Sequence, residues 1–349
     1  MKTFSILLAI LFISVNSFAQ EKEKDTLFIA SWNLENLFDT INDTLKNDEE
    51  FLPDSIKHWS NNKLEKKLYN LSRVIKSMNE NRGPDIMGVV EVEHQALLDS
   101  MISKFLPDMN YSTAYLESPD NRGIDNGLIY RGDLFKVLSV MGDTIHLSDG
   151  YPTRLVLGVT LVSHENDTLH VFVNHWPSRR GGESESEINR ITAAGVLKKN
   201  VDRILTYNSA SYIIIMGDFN DEPVNNSILN TLGAQPILCD TLPGNFTESS
   251  PDELYNLAYE PYNEGLGTYK YRNDWNMLDQ IIVSHEILTG KRIHYICGSF
   301  IIYKPDFIVE QSGKYAGSPF PTYGGNRYLG GYSDHFPVTA RFFMNRLED

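Results

Sequence analysis

The chain has 349 residues, with 46 acidic side chains against 31 basic ones and a formal net charge of −15. That balance excludes tight, sequence-independent binding of polyanions over the whole surface. It does not exclude hydrolysis of phosphates at a site where a cation inverts the local field. Two cysteines, Cys239 and Cys297, are too few for a disulfide framework or a zinc site of their own. In an exported chain they either form one disulfide or remain two buried thiols.

Residues 1–19 read differently from the rest. Lys2 supplies a positive start, Phe4 to Phe18 are mostly apolar, and Ser17-Phe18-Ala19 is a small-residue site just before Gln20. This is the pattern of a secretory signal peptide, with an apolar run too short to span a bilayer. An uncleaved N-terminal anchor is the alternative. Cleavage near Ala19 and export to a periplasm or beyond are expected, with residues 20–26 as a charged leader. No later apolar run approaches spanning length, so no stable membrane insertion is expected. Residues 27–349 are expected to form one catalytic domain, because the motifs below run from residue 31 to residue 338.

In chain order, residues 27–32 read as a strand. Residues 63–78 read as an amphipathic helix with Leu64, Leu68, Leu71 and Ile75 on one stripe. Residues 85–90 form a buried strand opened by Gly83-Pro84, and residues 96–105 a short helix. Strands follow at 127–131, 154–162 and 169–174. A helix is predicted over 185–205, with Ile188, Ile191, Val201 and Ile204 as core candidates. Its acidic start and basic later turns suit the helix dipole. Strands at 212–216, 280–283 and 338–343 complete the pattern. The segments 240–275 and 311–332, rich in Gly, Pro, Tyr and Asn, read as long surface loops that shape a groove. Mixed α and β with many strands implies packed sheets covered by helices.

Polar clusters sit at the ends of the apolar strands: Ser31-Trp32-Asn33-Leu34-Glu35, Glu91, Asn174-His175, Gly217-Asp218-Phe219-Asn220, Asp279, and Ser333-Asp334-His335-Phe336-Pro337. One such charge is often only a strand's exit into water. Six positions built from Asn, Asp, Glu and His make coincidence a poor account. Glu91 is the best metal ligand, a lone carboxylate after residues 86–90. Asn33 offers a neutral oxygen, and Glu35 follows it at strand period two. Glu93 shares a face with Glu91 by the same logic and reads as a surface or outer carboxylate. Arg154 opens a strand and either pairs with a phosphate oxygen or makes an ordinary ion pair. Arg179 and Arg180, followed by two glycines, either cradle a polyanion or form a plain basic turn. His58, His94, His146, His164, His170, His285 and His294 lack such context and read as structural or solvated.

Ser31-Trp32-Asn33, Val90-Glu91, Gly217-Asp218-Phe219-Asn220 and Ser333-Asp334-His335-Phe336-Pro337 resemble, in order, the signature segments of the endonuclease/exonuclease/phosphatase superfamily. The resemblance covers residues 27 to about 343. It implies a four-layer α/β sandwich of two mostly antiparallel sheets packed face to face, with helices outside. It also implies hydrolysis of phosphoesters with Mg²⁺ or Mn²⁺, Ca²⁺ being a further candidate. On this resemblance Glu91 is the ligand rather than Glu93; Asn33 and Glu35 join it by the spacing above, and Asp334 ligates the metal directly or through water. Asp218 is the base and with Asn220 orients water and phosphate. His335 contacts the scissile phosphate with Asp279 as its carboxylate partner, and His175 matches a second phosphate-contacting histidine of the nuclease branch. The Asn-His-Trp-Pro context of His175 and the neighbouring arginines favour a phosphodiester of nucleic acid, DNA or RNA, as substrate. A phospholipid or sugar-phosphate ester is the runner-up, with the Tyr-rich loops at 255–271 and 323–332 as an aromatic surface for a membrane. A silent binding module on the same fold is the remote third reading. A monomer is expected.

Overall fold

The computed structural model describes residues 25–239 and 250–345. The expected signal peptide and most of the leader lie outside the described residues, as does the start of the loop at 240–275.

The first sheet runs in the order β14–β18–β1–β2–β4–β3, with β15 also on β18. Its strands are β1 (Asp25–Leu37), β2 (Ile86–Val92), β3 (Tyr111–Tyr115), β4 (Asp125–Arg131), β14 (Ile293–Tyr295), β15 (Ile301–Ile302) and β18 (Val338–Met344). Only β1 and β2 are parallel. The second sheet runs β5–β6–β7–β8–β13–β10–β9. It comprises β5 (Phe135–Asp143), β6 (Val156–Ser163), β7 (Thr168–His175), β8 (Tyr212–Asp218), β9 (Ala234–Pro236), β10 (Leu254–Asn256) and β13 (Asp279–Ser284). Here β7–β8 and β9–β10 are parallel and the other pairs antiparallel. Two short hairpins stand apart: β11 (Tyr269–Tyr271) with β12 (Asp274–Asn276), and β16 (Tyr323–Gly324) with β17 (Arg327–Tyr328).

Period-two alternation sorts each strand's side chains between two cores. Leu27, Ile29, Ile86 and Val90 from the first sheet meet Val171, Val173, Ile214, Met216 and Ile281 from the second in the central core. The other face of the first sheet, with Phe28, Ala30, Trp32, Met87 and Val89, packs on α1 (Asn61–Asn81) and α2 (Gln95–Phe105). The other face of the second sheet, with Phe172, Ile213, Ile215 and Ile282, packs on α3 (Glu183–Tyr207). Each sheet is thus apolar on both faces, which is why its strands read as near-continuous hydrophobic runs. The architecture is helix, sheet, sheet, helix, as expected.

The helices differ from their predicted faces in detail. On α1, Leu68, Leu71 and Ile75 are buried as expected. On α3 the contact is made by Ala193, Ala194, Leu197, Val201 and Leu205, whereas Ile188 is exposed and Ile191 and Ile204 only half-buried. Small alanines let that helix lie close to the sheet, and Ile204 packs against the edge of the same core. Cys239 and Cys297 are joined as a disulfide. Among the described residues no helix is long and apolar enough to cross a membrane.

Candidate active site

The register of the second sheet creates one row of polar groups. Asp218 at the end of β8 lies opposite His175 on parallel β7 and opposite Asp279 on antiparallel β13. The first sheet brings Asn33 on β1, Glu91 on β2, and Asp334 and His335 just before β18 to the same edge of the sandwich. The site is therefore carried by the ends of paired strands.

Glycine and bulges set its local geometry. Gly217 has φ +137°, and a Cβ there would fall 1.9 Å from the carbonyl oxygen of Asn174, so only glycine fits. Glu91 has φ +63° and sits where the register shifts on both flanks of β2. This bulge re-aims its side chain. Its Oε2 accepts the Asn36 amide at 2.8 Å, while Oε1 lies 3.7 Å from Nε2 of His175. Period-two reasoning fails across such a bulge. Glu93 is buried, not at the surface, and its Oε2 accepts the amide of Asp39.

Asp218 is the hub. Its Oδ1 accepts the Asn220 amide at 2.9 Å and its Oδ2 accepts Nδ2 of Asn33 at 3.0 Å. The Nε2 atoms of His175 and His335 stand 3.7 and 3.8 Å from the same Oδ2. Burial pushes the Asp218 carboxyl up to about 6, against the opposing pull of His335. Asn220, itself at φ +51°, ties its side-chain amide to the carbonyl oxygen of Trp176 at 3.0 Å. Trp176 is fully buried edge-on against Phe219, which explains both residues beside the polar ones.

His335 and His175 differ in protonation. Nδ1 of His335 lies 2.7 Å from Oδ2 of Asp279, which also accepts the Thr268 hydroxyl at 2.6 Å. Burial disfavours the imidazolium, but the charges of Asp279, Asp218 and Asp334 outweigh it and hold His335 well above the usual histidine range. His175 is pushed well below that range by burial, then by the charges of Arg154, Arg122 and His335. The surroundings bias the His335 ring toward the cation and the His175 ring toward the neutral imidazole. Divergent environments of this kind separate acid from base roles. Tyr269 stacks on His335 with centroids 4.7 Å apart, and the main chain of His335 accepts Nε1 of Trp32 at 2.9 Å.

Asp334 is pushed up to about 7, chiefly by burial and then by the negative charges of Glu35 and Glu91, with His335 and Lys67 opposing. Oxygen donors crowded together with unmet negative charge are what a hard divalent cation requires. Glu91 and Asp334, whose charges act on each other, suit such an ion, with the Asn33 side-chain oxygen, which also accepts the Glu35 amide at 2.9 Å, as a neutral donor.

Three candidates are engaged in internal contacts. Glu35 is not free to act as a ligand: its carboxylate accepts the amides of Thr322 at 2.6 Å and Tyr323 at 3.1 Å, with Nζ of the buried Lys67 at 3.7 Å. Its φ of +53° breaks the strand alternation that would have placed it beside Asn33. Arg154 is buried, donating to Asp120 at 3.2 Å and to the Trp176 carbonyl at 2.6 Å, so it acts on the site through its charge. Arg179 binds the carbonyl of Asn220 and the side chains of Asn276 and Asn225, fastening three loops together rather than offering an open anion cradle. Arg180 is exposed at the neighbouring turn. Thr268 and Tyr269 lie outside the polar clusters legible in the sequence, and Ser333 lies inside one without a role of its own there. Ser333 donates to the Asn33 carbonyl at 2.6 Å and accepts the His335 amide, pinning β1 to the segment before β18. Only Ser333 lay inside a recognisable segment. Thr268 and Tyr269 come from a stretch whose composition says loop.

The sequence profile of the Endonuclease/Exonuclease/phosphatase family matches residues 28–346. No curated protein matches. Among solved structures, D. rerio TDP2 complexed with a single-strand DNA product superposes with a TM-score of 0.54 at 16% identity, covering 91% of this chain and 99% of that one. The human nocturnin catalytic domain with bound sulfate anion gives 0.54 at 16% identity, covering 93% and 97%. A mannosyl-6-phosphatase from Bacteroides thetaiotaomicron gives 0.54 at 16% identity, covering 91% and 100%. These likenesses establish the shared sandwich, and the profile match over nearly the whole described chain establishes kinship: the protein belongs to the endonuclease/exonuclease/phosphatase family of phosphoester hydrolases.

Proposed function

We propose that the chain is a divalent-metal-dependent phosphodiesterase acting on nucleic acid. A bound Mg²⁺ or Mn²⁺, held by Asn33, Glu91 and Asp334, would polarise a phosphoryl oxygen and assist the leaving oxygen. Asp218, braced by Asn33 and Asn220, takes the proton of the attacking water. His335, kept cationic by Asp279, donates Nε2–H to a phosphoryl oxygen as negative charge builds there. His175, neutral and facing both Glu91 and Asp218, offers a hydrogen bond without adding a full charge.

The observation that carries the substrate class is the hairpin β11–β12. Its Tyr269 stacks on His335, Tyr271 is exposed, Lys270 lies over Trp275 and Arg272 over Tyr271. Aromatic faces interleaved with cations beside the reacting group suit stacked bases on a phosphate backbone. The acidic net charge is compatible with a local basic lip. A sugar phosphate or phospholipid ester would use the same chemistry. A panel of plasmid DNA, RNA, a phosphomonoester and sphingomyelin, each with Mg²⁺ or with EDTA, decides between them. Metal-dependent turnover of DNA or RNA is expected. Turnover confined to the phosphomonoester or to sphingomyelin would reject the nucleic-acid reading.

A further inference from the structure

Glu93 takes no part in the phosphate site, yet it is 1% exposed. Its Oε2 accepts the Asp39 amide at 2.6 Å. Its Oε1 is buried and, among the described residues, has no hydrogen-bond partner. Leaving a buried carboxylate oxygen without a donor is costly. The atom is not isolated, however. Nε2 of His94 lies 4.0 Å away, and one ligand atom each from Asp39, Glu93 and His94 lie within 4.8 Å of one another.

The tautomer of His94 follows from its other neighbour. Nδ1 is 3.1 Å from Oε1 of Glu117, so Nδ1 carries the proton and donates it to that carboxylate. In the neutral ring the lone pair is then on Nε2, the nitrogen nearer the unpartnered oxygen of Glu93. A carboxylate behind a histidine that offers its second nitrogen forward is the usual outer support of a metal-bound imidazole. The backbone is fixed as well: the Glu93 amide donates to the Leu37 carbonyl, the Tyr115 hydroxyl donates to the Glu93 carbonyl, and Nε1 of Trp59 donates to the Phe38 carbonyl. At metal–ligand distances of ~2.0–2.2 Å, a 4.0 Å gap has room for an ion between the two atoms.

We propose that Asp39, Glu93 and His94 form a second metal site, separate from the cation of the phosphate site and oriented by Glu117. The two carboxylates neutralise a divalent charge. The imidazole selects a borderline ion of the Zn²⁺ type, whereas the oxygen donors Asn33, Glu91 and Asp334 suit Mg²⁺. An ion here would clamp the chain leaving β1 to the residues that start α2.

The test is calorimetric titration of Zn²⁺ alone into the chelator-stripped chain carrying Glu91→Gln, which weakens the phosphate site. His94→Gln and Glu117→Gln are then added singly in that background. One equivalent of Zn²⁺ is expected to bind the Glu91→Gln protein and to raise its melting temperature. His94→Gln should abolish that binding, and Glu117→Gln should weaken it by ~10- to 100-fold. The His94 and Glu117 side chains are 35% and 57% exposed, so both substitutions remove little packing. Should His94→Gln nevertheless misfold, Glu117→Gln decides the matter alone. Absence of stoichiometric Zn²⁺ binding in the parent, or binding unchanged in the variants, would overturn the site.

Discussion

Asp279 never reaches the phosphate in this account, yet it governs the group that does. It is fully buried, holds Nδ1 of His335, and is itself held by Thr268. Because its charge raises His335, the imidazolium is favoured beyond the usual histidine range, and the basic limb of activity should fall only as pH rises through that raised value. Asp279→Asn removes one of the raising charges, so the basic limb should move to lower pH. His335→Ala should slow the chemical step by roughly 10²–10³-fold, the worth of one preorganised donor. Losses from the two substitutions should be grossly non-additive, since Asp279 acts through His335. Rate profiles against pH and a double-mutant cycle check this. Additive losses, or an unmoved basic limb, would show that the pair has been misassigned.

At the scale of elements, β2 shows what a sequence reveals and what it conceals. The buried run before Glu91 was legible from its apolar residues, and so was the placing of a carboxylate at its end. The bulge was not, because nothing in Val90-Glu91-Val92-Glu93 announces a residue at φ +63°. Without the bulge, Glu93 and Glu91 share a face; with it, Glu93 turns inward toward Asp39 and His94. Glu35 was misread for the same reason, its strand leaving extended geometry at that residue. Short strands such as β3, β9 and β10 also escaped notice, since a few residues carry no periodicity and pair only through tertiary contact. The disulfide makes a prediction at this scale. Cys239 and Cys297 close a loop spanning 58 positions across β10 and β13. A double Cys→Ser variant should lose ~3–4 kcal/mol of stability by denaturant unfolding. It should keep its turnover when folded, because neither cysteine lies in the polar row. Loss of all turnover in a variant of native circular dichroism would refute that separation.

Over the whole molecule, the site belongs to neither sheet alone. Asn33, Glu91, Asp334 and His335 come from the first, and His175, Asp218 and Asp279 from the second. Packing the two face to face brings Asn33 within 3.0 Å of Asp218 across 185 positions of sequence. The order of the motifs along the chain was legible because each adjoins or lies on an apolar strand. Their convergence followed from the family resemblance, not from periodicity, and the hairpin beside His335 was legible only as a Tyr-rich loop. In the proposed mechanism Glu91 holds a divalent cation while His335 stabilises the phosphoryl group. The most direct measurement is a Mg²⁺ titration of phosphodiester hydrolysis by wild type, Glu91→Gln and His335→Ala. Glu91→Gln should need much more Mg²⁺ for half-maximal rate and recover part of its activity at high Mg²⁺. His335→Ala should keep the wild-type Mg²⁺ requirement with a far lower ceiling. An unchanged Mg²⁺ requirement in Glu91→Gln, or hydrolysis by wild type that persists in EDTA, would contradict it.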